Sequence, residues 1–158
     1  MAKGKPRFHK PDQSKVSKRP VAQLPERRDL DRRPVFSLEY ADRASTHGFH
    51  FDLDEVQSKA VLDFLRDIST TSWGQIRAQT WSSKKATHRK HHEHPIDGLS
   101  DEAKARLAAM RLDEILGEDL FRFRVGAKQR LWGFLVDHMF HVLWWDPEHQ
   151  VYPMEPSS

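Results

Sequence analysis

Arginine and histidine side chains recur among the aromatic residues of the C-terminal third of the chain. Arg122, Arg124 and Arg130 are followed by His141 and His149. Guanidinium groups bind phosphate in a bidentate way, and an imidazole of ordinary pKa, near ~6.5, exchanges protons at neutral pH. RNA cleavage without a metal needs a base for the ribose 2′-hydroxyl, an acid for the leaving 5′-oxygen and positive charge beside the phosphate. These residue types therefore suit the binding and cleavage of an RNA backbone.

Three stretches of alternating apolar and polar residues carry these side chains. The segments DLFRFRV (119–125), QRLWGFLV (129–136) and MFHVLWW (139–145) predict an antiparallel β-meander. A two-residue turn at Asp137 and His138 predicts the second register, in which Phe134 pairs with His141. Trp132 then pairs with Leu143, and Arg130 with Trp145. One sheet face becomes wholly apolar and is expected to pack on the helices: Phe121, Phe123, Leu131, Leu135, Phe140, Val142 and Trp144.

The opposite face of the meander is expected to be exposed. It collects the three arginines with aromatic residues and one histidine: Arg122, Arg124, Arg130, Trp132, Phe134, His141 and Trp145. Bases stack on aromatic rings, so Trp132 and Trp145 are candidate RNA-binding residues beside Arg122, and Lys128 adds a cation in the first loop.

Residues 80–98 contain the histidine-rich run HRKHHEH and no apolar period, which predicts a loop. His91 and His92 are candidate RNA contacts in a solvated basic loop. Imidazoles also bind zinc, but the spacing of His88, His91, His92 and His94 matches no zinc motif. We predict no metal site and no cofactor, although metal binding or a catalytic histidine in this loop stays an alternative.

Each candidate residue also has a purely structural interpretation. Arg122 and Arg124 are compatible with the solvent side of an amphipathic strand, and His141 with a half-buried histidine whose hydrogen bonds are made internally. His149 and Tyr152 are compatible with a segment that closes the fold. Trp132 and Trp145 would equally suit an interface with a partner chain.

The elements before the meander are a strand and two or three helices. The sequence predicts a strand over 35–40, a helix over 54–69 with a capping box of Asp54 and Gln57, and a short helix over 73–79. A further helix is predicted to begin at Ser100 and to end at Gly117. The fold class is therefore α+β, with one domain over 34–153 and a flexible tail over 154–158.

The charge of the chain is distributed unevenly. Residues 1–33 hold 11 Lys and Arg against 4 Asp and Glu, whereas the remainder holds 15 against 19. The first segment has four prolines and few large apolar residues, which predicts a disordered basic arm that attracts nucleic acid or only aids solubility. The chain has no cysteine and no apolar run of membrane-spanning length. We expect a cytoplasmic protein without membrane association.

The order of elements over about 35–153 resembles the RelE/ParE superfamily of small bacterial toxins, on residue type and element order and without a diagnostic motif. The resemblance implies RNA bound on the exposed sheet face, phosphate-binding and transition-state roles for Arg122, Arg124 and Arg130, and an acid–base role for His149, with His141 as a further catalytic candidate. The implied partners are RNA, with or without the ribosome, and an antitoxin protein. This chain departs from the family in its net acidic body, its long segment 80–98 and its N-terminal arm.

Two other functions fit the same residues. One is a non-catalytic RNA- or ribosome-associated binding module that uses the basic arm for affinity. The other is a small interaction module whose sheet face docks on a protein.

Overall fold

A computed structural model describes residues 30–153, so the tail over 154–158 and residues 1–29 of the arm lie outside the described range. It confirms the predicted α+β class. Along the chain the elements are β1 (Val35–Ser37), α1 (Glu55–Ile68), α2 (Trp73–Ala78), β2 (Thr80–Ser82), β3 (Thr87–Arg89), β4 (His92–Pro95), a 3₁₀ turn (Ile96–Gly98), α3 (Asp101–Ala109), β5 (Asp119–Arg124), β6 (Arg130–Val136) and β7 (Met139–Asp146).

The helices begin where the sequence places their caps. Asp54 and Gln57 form the predicted capping box at α1, and the Ser100 side chain accepts a hydrogen bond from the first turn of α3. Helix α3 ends at Ala109, eight residues before the predicted end at Gly117. Arg111 adopts a left-handed conformation with φ 54°, which stops helical propagation.

Strands β5, β6 and β7 form the predicted meander inside a five-stranded mixed sheet of order β1-β7-β6-β5-β4, in which β1 is parallel to β7. The predicted register of the first pair is confirmed, with Arg124 opposite Arg130. The second pair also starts as predicted, with Phe134 opposite His141.

Beyond Gly133 the predicted register of β6 and β7 is wrong, because the strand pair contains a β-bulge. Trp132 lies opposite Trp144 and Arg130 opposite Asp146, which leaves Leu143 as the extra residue. One extra residue inverts every later side chain, so Trp144 and Trp145 exchange the faces that we predicted. Gly133 marks this position, since a Cβ there would lie 2.1 Å from the His141 carbonyl oxygen.

The sheet is buried on both faces, so the expectation of one exposed face is wrong. One face packs on α1 and α2 through residues such as Phe123, Leu131 and Trp145. The other face packs on α3 and on loop residues through Trp132, Phe134 and Trp144. Below we call these the α1 side and the α3 side.

The predicted loop over 80–98 is also wrong in part, because it contains the β2–β3 hairpin and the edge strand β4. Strand β4 has the sequence HEHP and pairs with β5 through backbone groups. Its sequence therefore lacks the apolar alternation by which a strand is predicted. The first strand is shorter than predicted, and Leu30, which we assigned to the arm, packs against the core on the α1 side. None of the helices within residues 30–153 is long and apolar enough to cross a membrane.

Candidate functional site

Two adjoining cavities of about 470 and 710 Å³ open on the α3 side, near the loop that joins β5 to β6. They share Trp81, Arg122 and His149. We call the two together the basic cleft. Its main lining residues are Trp81, His88, His92, His94, Arg122, Arg124, Lys128, Arg130, Glu148, His149 and Tyr152.

Two arginines of the basic cleft are buried without forming an ion pair, and the charge of the buried Asp146 offsets theirs only in part. Arg122 is 6% and Arg130 is 3% exposed, and neither forms an ion pair with any residue of the described range. Burial and the neighbouring arginines lower the pKa of each to about 10, so both stay charged at neutral pH. Holding two like charges out of water costs several kcal/mol unless an anion joins them.

The loop between β5 and β6 fixes the direction of Arg130. Its guanidinium donates hydrogen bonds to the carbonyl oxygens of Gly126, Ala127 and Gln129 at 2.7 to 3.2 Å. These neutral acceptors orient the group without forming an ion pair, and its Nε is buried without a partner.

The β2–β3 hairpin supplies one wall of the cleft. The Arg124 guanidinium lies 3.9 Å from the centre of the Trp81 ring, a cation–π contact, and Trp81 stacks on His88 at 4.8 Å. Lys128 lies at the rim, where its ammonium group is 3.7 Å from Glu148 and both side chains are exposed. The rim pair is weak, so Lys128 is free to turn toward a bound anion.

Strand β4 and Tyr152 supply the opposite wall, a column of three rings in which His94 stacks on His92 at 4.3 Å and packs against the tilted Tyr152 ring at 4.4 Å. His92 Nδ1 lies 2.8 Å from the Glu93 carbonyl oxygen and must donate to it, so Nε2 accepts from the Arg122 guanidinium at 3.3 Å. Burial lowers the pKa of both histidines, that of His94 to about 3, and the charge of Arg122 lowers both further. The imidazoles of this wall are therefore neutral.

His149 stands in a tight turn between the two cavities, with a left-handed backbone at φ 60°. The fully buried Asp146 carboxylate holds the turn by accepting hydrogen bonds from the amides of Gln150 at 2.8 Å and Val151 at 3.0 Å. Burial and the charge of Arg130 lower the pKa of His149. Its Nδ1 is buried without a partner, which leaves Nε2 as the nitrogen available to the cleft.

Six of the predicted site residues meet in the basic cleft: Arg122, Arg124, Lys128, Arg130, His92 and His149. Trp132 lies beneath it, buried, with its indole nitrogen 3.3 Å from Asp146 and its ring against His94. It supports the cleft and offers no face to a ligand.

Three other predicted residues lie elsewhere. Trp145 is buried on the α1 side because of the bulge. His91 is buried there too; its Nδ1 accepts from the Arg124 amide at 3.0 Å, and burial lowers its pKa to about 3. His141 lies at the far end of the α3 side, where it stacks on Phe134 and meets Tyr40 edge to face.

Residue types alone did not single out Trp81 and Asp146. Trp81 was the one large ring in a segment without apolar period, and Asp146 lies opposite Arg130 only because the bulge shifts the register. The alternation His92, Glu93, His94 was an available signal for β4. It directs both histidines to the α3 side, while Glu93 forms an ion pair with Arg77.

Within residues 30–153, no three His, Asp or Glu side chains converge on a position that could hold a metal ion. No protein-family model, curated protein or solved structure matches the chain.

Proposed function

We propose that this protein binds single-stranded RNA in the basic cleft and cleaves a phosphodiester there by acid–base chemistry. The observation that carries the proposal is the burial of Arg122 and Arg130 as cations that form no ion pair within residues 30–153, beside a third cation, Arg124. A phosphodiester supplies the missing negative charge, and its oxygens match the fork of a guanidinium group.

The proposed reaction uses the 2′-hydroxyl of the RNA as nucleophile. His149, neutral because burial and Arg130 lower its pKa, accepts the hydroxyl proton at Nε2. The 2′-oxygen then bonds to phosphorus, and the bond to the 5′-oxygen breaks, giving a 2′,3′-cyclic phosphate and a 5′-hydroxyl. Arg122 and Arg124 stabilise the charge on the phosphoryl oxygens, and the 5′-oxygen takes its proton from solvent.

The proposal also includes the RelE-like role that the resemblance implies. We infer that the substrate is messenger RNA, with or without the ribosome, that the protein acts in the cytoplasm and that an antitoxin restrains it. Residues 1–33, with a net charge of +7, would add salt-dependent affinity for the phosphate backbone.

Cleavage of end-labelled RNA tests the chemistry. The purified full chain should cut single-stranded RNA in the presence of EDTA, alone or with added ribosomes, and leave cyclic phosphate ends. RNA with 2′-O-methyl groups should bind and stay intact, because it lacks the nucleophile. His149→Ala should lower the rate at least about 100-fold, the usual contribution of a general base.

Matched variants separate the site from the rest of the surface. Arg124→Gln should weaken RNA binding, whereas Arg43→Gln, an exposed arginine paired only with Asp52, should not. His47→Ala, at an exposed histidine outside the cleft, should cut like the wild type. RNA that binds but is never cut would contradict catalysis and favour the binding module.

Induced expression in bacteria tests the toxin role. Growth should stop on induction of the wild type and continue with His149→Ala at the same level of soluble protein. Unchanged growth with the wild type would contradict this role while leaving the biochemical proposal to the cleavage assay.

A further inference from the structure

The two cavities of the basic cleft have different linings. The smaller one is lined mainly by the cations Arg124, Lys128 and Arg130, with Glu148 at its rim. The larger one is lined mainly by rings and small residues: Trp81, Ser83, His88, His92, His94, Gly98, Tyr152 and Pro153 with the shared Arg122 and His149. A uniform phosphate-binding groove would continue its cations along both cavities.

Rings bound the larger cavity in two groups. One is the pair of Trp81 and His88 from the hairpin, and the other is the column of His92, His94 and Tyr152. The imidazoles of the column are neutral, so this cavity does not repeat the charge of its neighbour. Flat, neutral and polarisable walls are the surface on which bases stack.

We propose that the larger cavity is a nucleobase subsite, so that the basic cleft recognises a nucleoside phosphate as one unit. The base would lie among the two groups of rings, and its phosphate would lie at Arg122 and His149, which both cavities share. The inference rests on the proposed function, because the phosphate beside the base is the one that the arginines bind.

Covalent connection explains why the cavities adjoin. The base and the phosphate of a nucleotide are joined through one ribose, so their subsites must share a boundary. Trp81 contributes to both cavities, and its ring also carries the cation–π contact with Arg124. A base on one side of this boundary and a phosphate on the other would therefore both lie next to Trp81.

Gly98 offers a way to change the base subsite alone. A Cβ at this position would lie 2.9 Å from the Tyr152 ring, and its three nearest atoms all belong to Tyr152. Its φ lies outside the left-handed region, so alanine fits the backbone. Gly98→Ala should displace Tyr152 and leave Arg122, Arg124 and Arg130 in place.

Calorimetric titration with small ligands tests the subsite in the full chain. The probes are adenosine 3′-monophosphate, uridine 3′-monophosphate, ribose 5-phosphate and inorganic phosphate. At least one nucleotide should bind the wild type roughly 5-fold or more tighter than ribose phosphate, the gain expected from stacking one base. Gly98→Ala and Tyr152→Leu should remove that advantage and leave the affinity for inorganic phosphate unchanged.

The same titrations distinguish this inference from the proposed function. Arg124→Gln should weaken nucleotide and inorganic phosphate by the same factor. Equal affinity of the wild type for nucleotides and ribose phosphate would overturn the base subsite, even if RNA is cleaved. Equal loss for every probe in Tyr152→Leu, with the same result in Gly98→Ala, would overturn it too. A base advantage without RNA cleavage would support the subsite and count against catalysis.

Discussion

The α3 side of the sheet holds arginines in two opposite electrostatic arrangements. At one place Arg106 binds the buried Asp42 carboxylate with two hydrogen bonds of 2.6 and 2.7 Å, and the Trp144 indole adds a third at 2.9 Å. In the basic cleft Arg122 and Arg130 are more deeply buried than Arg106, yet neither has a carboxylate partner within residues 30–153.

This difference separates an arginine that stabilises the fold from arginines that, under the proposed function, bind a ligand. In a buried ion pair that makes all its hydrogen bonds, each charge is neutralised by its partner. Removal of one partner leaves the other as an unpaired buried charge. Unpaired buried cations lower the stability of the free protein and regain that free energy when an anion binds. The comparison therefore predicts opposite outcomes when each site is changed.

The largest effect is expected at the paired site. Asp42→Ala removes the acceptor for Arg106 and Trp144 and leaves a cavity under α3, so the free energy of unfolding should fall by about 3 kcal/mol. Urea unfolding followed by tryptophan fluorescence measures it. Asp52→Ala breaks the exposed pair with Arg43 and should cost under about 1 kcal/mol. Similar losses of unfolding free energy in the two variants would mean that the buried pair stabilises the fold no more than the exposed pair does.

In the basic cleft, loss of a buried charge is expected to change the stability less, and not to lower it strongly. Arg122→Met keeps an apolar stem of similar length and removes an uncompensated charge, so stability should stay within about 1 kcal/mol of the wild type or rise. Arg106→Met should destabilise, because it leaves Asp42 as an unpaired buried carboxylate.

Phosphate binding completes the contrast between these two methionine variants. Inorganic phosphate should raise the melting temperature of the wild type and of Arg106→Met, and should not raise that of Arg122→Met. Strong destabilisation by Arg122→Met would mean that the cleft arginine supports the fold, as Arg106 does.

The paired site and the basic cleft also differ in how far the sequence predicts them. The alternation of apolar and polar residues correctly predicted the two faces of β5, and with them the position of Arg122 and Arg124 on one side. It did so because that strand contains no irregularity. The turn at Asp137 set the first four pairs of β6 and β7. Beyond Gly133 the prediction failed, since a bulge depends on a contact between strands that no local pattern reports.

The site residues from the segment 80–98 were predictable only as residue types. His92 and His94 form a strand because β5 offers its free edge, and Trp81 reaches Arg124 because the hairpin folds over it. Both are tertiary effects. Burial of the α3 side was missed for a related reason: α3 ends early, and the segment after it supplies Leu112 and Ile115 to a face that the arginines had marked as polar.

The smallest effect concerns two aspartates, one from each region, whose pKa values move in opposite directions. Burial alone would raise the pKa of Asp42, but hydrogen bonds from Arg106 and Trp144 outweigh it and lower the value below the ordinary 3.8. Burial raises the pKa of Asp146 above 3.8, and its three hydrogen bonds do not restore it. Asp42 therefore contributes stability that is present above 3.8 and is lost as the pH falls through its lowered pKa. The contribution of Asp146 is present below 3.8 and is lost as the pH rises through its raised pKa.

Urea unfolding of the wild type, Asp42→Asn and Asp146→Asn between about pH 3 and pH 7 resolves these opposite signs. Relative to the wild type, Asp42→Asn should become less stable as the pH rises, and Asp146→Asn should become more stable. The slope of the second comparison should grow when phosphate is added, because an anion next to Arg130 and His149 offsets the positive charge that lowers the pKa of Asp146. Slopes of the same sign in both variants would mean that the two buried carboxylates are held alike, and that the unpaired arginines do not set the basic cleft apart from the paired site.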